Sequence, residues 1–242
     1  MSVLYDYGWS SVWQDQIAAS EQDLICGRVI RHDSSGYRLI TESGEVSGIV
    51  PGRERQRAVS RAQLPAVGDW VLAERISGDA GQLSIIRILD RFSYFSRNES
   101  GERTDEQILA ANIDLVFIVS GLDGNFNPPR IERFLLLARI SGAEPIVILN
   151  KADLLDRDEL EEKQQSLSDI IQDESVLVTS TVAGTGLHDL RVLIEPGITA
   201  AFLGSSGVGK STLINALLED DLLKTSAVRA ADSKGRHTTS HR

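Results

Sequence analysis

The sequence predicts an α/β chain: a small β-barrel followed by a doubly wound, mostly parallel sheet. Three observations carry this. Five short strand-like runs crowd residues 23–93, with turn residues between them. From Ile113 onward the period changes, and apolar strands alternate with helical stretches. Two turns, at 150–153 and 204–211, each follow such a strand, where open α/β sheets collect their ligands.

The elements follow in order. Residues 1–22 form an N-terminal extension in which Trp9 and Trp13 stand four apart, the spacing of one helical face. Leu24–Ile30 is a strand, Tyr37–Thr41 follows the turn Asp33-Ser34-Ser35-Gly36, and Glu45–Val50 follows Ser43-Gly44. The polar, aperiodic stretch Pro51–Gln63 reads as a mobile loop. Gly68–Ala73 and Gln82–Ile88 complete the five. Such a set suits a Greek-key barrel of the oligonucleotide/oligosaccharide-binding (OB) type, with an SH3-like barrel as the rival. These barrels commonly bind nucleic acid on a strand face, which here is analogy from fold alone. Residues 94–110 read as a polar linker, and 111–242 as the second domain. There Ile113–Val119 is a strand, and Pro129–Ser141 a helix with Ile131, Phe134, Leu135 and Ala138 on one face, ended by Gly142.

Bulk properties set limits. The chain has 242 residues, 41% of them hydrophobic, enough for ordinary cores in one or two domains. No run is long enough to span a bilayer and no secretory leader is evident, so a cytoplasmic address and no membrane partner are expected. A single cysteine, Cys26, excludes an internal disulfide and a cysteine-cluster zinc site. The net charge of −10 argues against nucleic-acid binding taken alone. The charge is uneven, however. Acid gathers at Asp156–Glu162 and Asp169–Glu174, while arginine gathers at 53, 55, 57 and 61 and again at 87, 91, 97 and 103. The arginines are either a surface for phosphate backbones or solvated loops.

Two motifs carry chemistry. Gly204-Ser205-Ser206-Gly207-Val208-Gly209-Lys210-Ser211-Thr212 follows the apolar strand Ile198–Leu203 and opens a helix over 209–219 with Leu213, Ile214, Leu217 and Leu218 on one face. This is the strand–loop–helix context of a phosphate-binding loop. Successive backbone N–H groups cradle the phosphates, Lys210 reaches the β- and γ-phosphates, and the Ser211 hydroxyl ligates Mg²⁺. The second motif, Asn150-Lys151-Ala152-Asp153, follows the buried strand Glu144–Leu149. The Asp153 carboxylate can take two hydrogen bonds from the guanine edge, which adenine does not offer. Asn150 braces the loop, and the Lys151 stem covers a purine face. A weaker third element is Ser180-Thr181 with Gly184-Thr185-Gly186-Leu187, which resembles the run by which GTPases offer a backbone N–H to guanine O6.

Motif order narrows the reading. Ordinary GTPases begin with the phosphate loop, whereas here the base reader comes first, so the chain resembles a circularly permuted P-loop GTPase. In GTPases the segment after the phosphate-loop helix is the first switch, and a threonine there closes over Mg²⁺. Thr238 or Thr239 fills that role, Thr239 also standing as a catalytic candidate. His237 is a candidate for positioning water, with an exposed loop histidine as the alternative, and His241 has no assigned chemistry.

Pro65-Ala66-Val67-Gly68-Asp69-Trp70-Val71, Ile88–Ser93, Asn150–Asp153, Gly204–Thr212 and Gly235-Arg236-His237-Thr238-Thr239 occur in an order that resembles the ribosome small-subunit-dependent GTPase family of bacteria. The resemblance implies an RNA-binding OB barrel, GTP/GDP and Mg²⁺ as ligands, and the small (30S) ribosomal subunit and 16S rRNA as partners of a monomer. It also implies ribosome-stimulated GTP hydrolysis in late subunit maturation. The family continues with an Asp-x-Pro-Gly motif and a zinc domain of three cysteines and a histidine. Neither occurs within these 242 residues, so a chain truncated before both is expected, with Zn²⁺ confined to the intact family protein. The alternative is a guanine-nucleotide-binding RNA or ribosome-assembly module with little or no turnover. An ATP-dependent kinase fits poorly, because Asp153 would meet the wrong base edge.

Overall fold

The computed structural model describes residues 2–34, 36–76, 79–99, 105–171 and 173–218. The described residues divide into two units, 2–114 with Pro196–Thr199, and Leu115–Glu195 with 200–218.

The first unit opens with two single-turn helices, α1 (Val3–Asp6) and α2 (Ser11–Gln14). Gly36 and Gly44 then hold φ of 125° and 99°, left-handed dihedrals that suit tight reversals. They fold β1 (Ile25–Asp33), β2 (Gly36–Thr41) and β3 (Gly44–Ile49) into an antiparallel meander. After α3 (Gly52–Arg57), β4 (Trp70–Ile76) and β5 (Asp79–Ile88) close a five-stranded barrel in the order β1-β2-β3-β5-β4. The pair β3–β5 is parallel, and β4 returns antiparallel to β1. This bears out the five-stranded barrel.

The two-residue period of β4 sorts its side chains. Val71 and Ala73 join Val29, Leu39, Leu83 and Ile85 in one buried cluster, while Trp70 and Leu72 pack with Leu4, Trp13 and Leu89 in another. Trp9 and Trp13 do not share a helix. Trp9 lies between α1 and α2, and both rings come together on Trp70, at 4.8 and 6.2 Å between centroids.

Two stretches differ from expectation. Pro51–Gln63 contains α3 and a 3₁₀ turn, Arg61–Gln63, rather than an irregular loop. Every α3 side chain after Gly52 is charged or polar, so no apolar stripe announces the helix; local ties hold it, such as the Arg57–Glu54 ion pair one turn apart and the Ser60 hydroxyl accepting from Ala62 N–H. Residues read as a polar linker form an antiparallel ribbon, β6 (Tyr94–Glu99) with β7 (Asp105–Ala111). The polar side chains of the ribbon mask the strand period, and its apolar residues serve a separate small cluster, where Ile108 and Ala111 pack on Ala66.

The second unit alternates β8 (Leu115–Gly121), α4 (Pro128–Ser141), β9 (Glu144–Asn150), α5 (Arg157–Gln165), β10 (Ser175–Thr179), α6 (Leu187–Val192), β11 (Ala200–Leu203) and α7 (Lys210–Leu218). Asn127 caps α4 by accepting from Arg130 N–H at 2.9 Å, and Gly142, at φ 85°, ends it. The sheet is parallel, in the order β10-β9-β8-β11. Phe117, Val119, Ile146 and Ile148 form its core with Leu190 and Leu213 of α6 and α7. The chain steps outward from β8 to β10, then returns to place β11 on the other side of β8. The crevice at the carboxyl ends of β8 and β11 is therefore the switch point of the sheet, where α/β folds bind ligands.

Candidate nucleotide-binding site

Three loops meet at that switch point. The first runs from β11 into α7. Gly204 holds φ 149°, and a Cβ there would lie 2.4 Å from the Val119 carbonyl oxygen, so only glycine lets this loop leave along β8. Gly209, at φ 99°, is needed for another reason: a Cβ would lie 2.3 Å from Asn150 Nδ2. The Asn150 side chain thus occupies the space that Gly209 leaves.

Asn150 ends β9 and is 1% exposed. Its Nδ2 donates to the Val208 carbonyl at 2.8 Å, and its Oδ1 accepts from Thr179 Oγ1 at 3.0 Å. One amide therefore ties β9, the end of β10 and the phosphate loop together. Lys151 follows in the left-handed region, at φ 67°. Its Nζ donates to the Gly207 carbonyl at 2.7 Å and to Asp123 at 2.6 Å. Asp123 lies in the loop after β8. Burial pushes its carboxyl up, but the Lys151 bond and the Asn125 backbone N–H outweigh this and hold it below the ordinary value.

Lys210 opens α7, and its Nζ donates to the carbonyls of Gly204 and Ser205 at 2.8 and 2.7 Å. Burial alone lowers its pKa. Arg130 of α4 donates to Ser205 Oγ at 2.6 Å. Asp153 is exposed and accepts from the Ser180 hydroxyl, which itself accepts from Ala183 N–H at 3.0 Å.

The residues present fit a nucleotide phosphate and a hard divalent cation. The first turn of a nine-residue helix supplies backbone donors, Lys210 and Arg130 supply positive charge, and the half-buried Ser211 hydroxyl supplies an oxygen ligand. Of the residues expected from sequence, Asn150 and Lys151 are bonded directly to the loop Gly204–Lys210, while Asp153 and Ser180 are bonded to each other. Ala152, Thr181, Ser206 and Thr212 lie in these loops or at the start of α7. His237, Thr238 and Thr239 lie outside the described residues. Asp123, Arg130 and Thr179 were not foreseen. Asp123 and Thr179 sit at strand ends, a usable signal; Arg130 carries none, because only folding brings α4 to Ser205.

Comparison with known proteins agrees with this geometry. The RsgA GTPase family model matches residues 88–242. The chain belongs to the RsgA GTPase family. It is 42% identical to a small ribosomal subunit biogenesis GTPase RsgA 2 of Vibrio parahaemolyticus, over 99% of this chain and 63% of that protein. It is 41% identical to the RsgA 2 of Lactiplantibacillus plantarum, over 99% of this chain and 66% of that one. The chain thus spans roughly two thirds of these relatives, 63% and 66%. YjeQ from Thermotoga maritima superposes with a TM-score of 0.67 at 26% identity, covering 84% of this chain and 67% of that one. YloQ, a circularly permuted GTPase, superposes at 0.60 with 22% identity over 82% of this chain and 66% of that one, a likeness of fold alone. The permuted order read from the motifs is therefore an RsgA-family arrangement.

Proposed function

We propose that this chain binds guanine nucleotide at the β8–β11 switch point and, in the complete protein, hydrolyses GTP to GDP and phosphate during biogenesis of the small ribosomal subunit. The names of its relatives support the subunit as partner. The observation that carries the nucleotide reading is the Asn150 amide, which bonds Val208 across the space left by Gly209 and so couples the base-reading turn to the phosphate cradle.

Each residue has a part in this reading. Asp153 pairs with the guanine edge after giving up the Ser180 hydroxyl. Lys151 covers the base, and a backbone N–H near Thr181 meets O6. Lys210 exchanges the Gly204 and Ser205 carbonyls for phosphate oxygens. Ser211, with Thr238 or Thr239, holds Mg²⁺, which supplies charge neutralisation of the phosphates when bound. Both carboxylates described near the loop are engaged, Asp123 by Lys151 and Asp153 by Ser180. Neither is a ready general base, which suits turnover that waits for the ribosome. The same observation favours the second reading, a nucleotide-dependent RNA-binding module with little turnover of its own. The barrel (23–93) is the RNA-binding part and contacts 16S rRNA; 111–242 is the nucleotide domain. The address is cytoplasmic and the protein a monomer.

Titration with GDP, ADP and XDP tests the base reading. Asp153→Asn should weaken GDP at least about 100-fold and gain XDP, whose added carbonyl the amide can satisfy. Equal binding of ADP and GDP, or GDP affinity untouched by Asp153→Asn, sinks it. GTP turnover with and without small ribosomal subunits separates the two readings.

A further inference from the structure

A cleft on the barrel unit, lined by none of the nucleotide-motif residues, is formed where α3 and the Arg61–Gln63 turn lie beside β1, β2 and β7. Its volume is about 370 Å³, within the range of small-ligand sites. We propose that this cleft takes one unpaired base of an RNA strand. The inference rests on the reading of the barrel as the RNA-contacting part.

The lining fits that chemistry. His32 and Tyr37 are cross-strand partners of β1 and β2, and their rings stack at 4.4 Å and 11° from parallel. His32 is exposed and Tyr37 half-buried, so the stack leads from solvent into the cleft and offers a π-surface to another ring. Buried Pro65 and Ile108 add apolar lining. Arg55 and Arg61 bring positive charge beside the aromatic wall, and among the described residues no carboxylate lines the cleft, which suits the phosphate attached to a bound base. Gln107 and the Tyr37 hydroxyl offer polar atoms to a base edge; burial raises the Tyr37 pKa despite the Arg55 charge, so the hydroxyl keeps its proton at neutral pH.

The wall is built rather than loose. Arg91 donates to the carbonyls of Ala62 and Leu64 at 2.8 and 3.0 Å while paired with buried Asp69 at 2.6 Å. Ser60 Oγ donates to the Glu106 carbonyl at 3.2 Å, fastening the segment to β7. A peptide helix, roughly 10–12 Å across with side chains, is too wide for such a cleft. An acidic peptide would use the arginines and leave the ring stack idle. A base with its phosphate uses both.

The test titrates the full chain with a short single-stranded RNA carrying one 2-aminopurine. Parallel arms use the same RNA with an abasic site, its duplex, AMP and an acidic peptide. Binding should quench 2-aminopurine, and the abasic RNA and the duplex should bind roughly tenfold more weakly, the usual scale of one stacked base. His32→Ala and Arg61→Ala should each remove the quench and weaken the RNA about tenfold, leaving GDP affinity and the melting temperature unchanged. Tyr37→Phe, which keeps the ring and the fold, should retain the quench. RNA that binds without quenching, or abasic RNA that binds as well, overturns the base cleft and leaves the RNA reading standing. No RNA binding at all overturns both. AMP or the acidic peptide binding more tightly than the RNA assigns the cleft to a small molecule or a peptide, and the proposal fails.

Discussion

Arg28 in the barrel unit and Lys210 in the nucleotide unit do similar local chemistry with opposite consequences. Both are cations whose pKa is lowered, by burial first of all, and both donate to backbone carbonyls. Arg28 Nε meets Gly68 O at 3.1 Å, Nη2 meets Asn112 O at 3.0 Å, and Nη1 meets Tyr7 O. Asn112 Nδ2 also donates to Gly68 O, at 3.1 Å. Arg28 is 7% exposed, and its Gly68 and Asn112 partners are buried while Tyr7 is exposed, so two of its three contacts are sealed from solvent. The carbonyls held by Lys210 belong to a loop whose Ser206 and Gly207 are exposed, so an incoming phosphate can replace them. A closed network suits a structural role, whereas an open one suits the proposed site.

Substitutions can break this contrast. The largest effect is expected at Gly68, which shapes the Arg28 network. It holds φ 95°, and a Cβ would lie 2.0 Å from Ala111 O, so Gly68→Ala should cost roughly 4 kcal/mol, read as a fall in melting temperature. A shift of only a few degrees would mean the barrel unit yields more readily than its packing suggests. Next, Arg28→Ala leaves the Tyr7 and Asn112 carbonyls without this donor and should cost about 3 kcal/mol with GDP affinity intact. Lys210→Ala should do the reverse. Nucleotide affinity should fall about 100-fold, or about 2.7 kcal/mol, while denaturant stability stays within about 1 kcal/mol. If Lys210→Ala unfolds the chain instead, the loop carbonyls need their cation and the contrast collapses.

The smallest effect sharpens it. The lowered carboxyl of Asp123 means that its pairing with Lys151 adds stability above the unfolded value near 3.8, lost as pH falls through the still lower folded value. Asp123→Asn keeps an oxygen for Asn125 N–H, so it should lose only about 0.2–1 kcal/mol at neutral pH. That difference should vanish in urea melts below the folded value and shrink in high salt. A gap that persists in acid would assign Asp123 a packing role rather than a charge role.

Legibility differed between the units for a physical reason. In the second unit, the candidate site is built on short turns whose backbone shape is written locally in glycines, such as Gly204 and Gly209, after apolar strands. The turn at Asn150 and the loop at Gly204–Ser211 were therefore readable as separate pieces. In the barrel unit the strands were readable from their turns, but α3 and the β6–β7 ribbon were not, because polar surface elements carry no apolar period. The cleft beside His32 and Tyr37 depends on both.

The sequence by itself determined the barrel, the strand–helix alternation, the motif order and hence the permutation, because each is set by periodicity or by residues a few positions apart. Only the tertiary structure decided that Asn150 fills the space beside Gly209, that Arg130 reaches that loop at Ser205 and Asp123 meets it through Lys151, and that the Arg28 cation is largely sealed while the half-buried Lys210 is open. Apart from the Lys210 bonds to Gly204 and Ser205, these are contacts between residues tens of positions apart in the chain. Burial and access, which exist only once the sheet and barrel have closed, set one cation apart from the other.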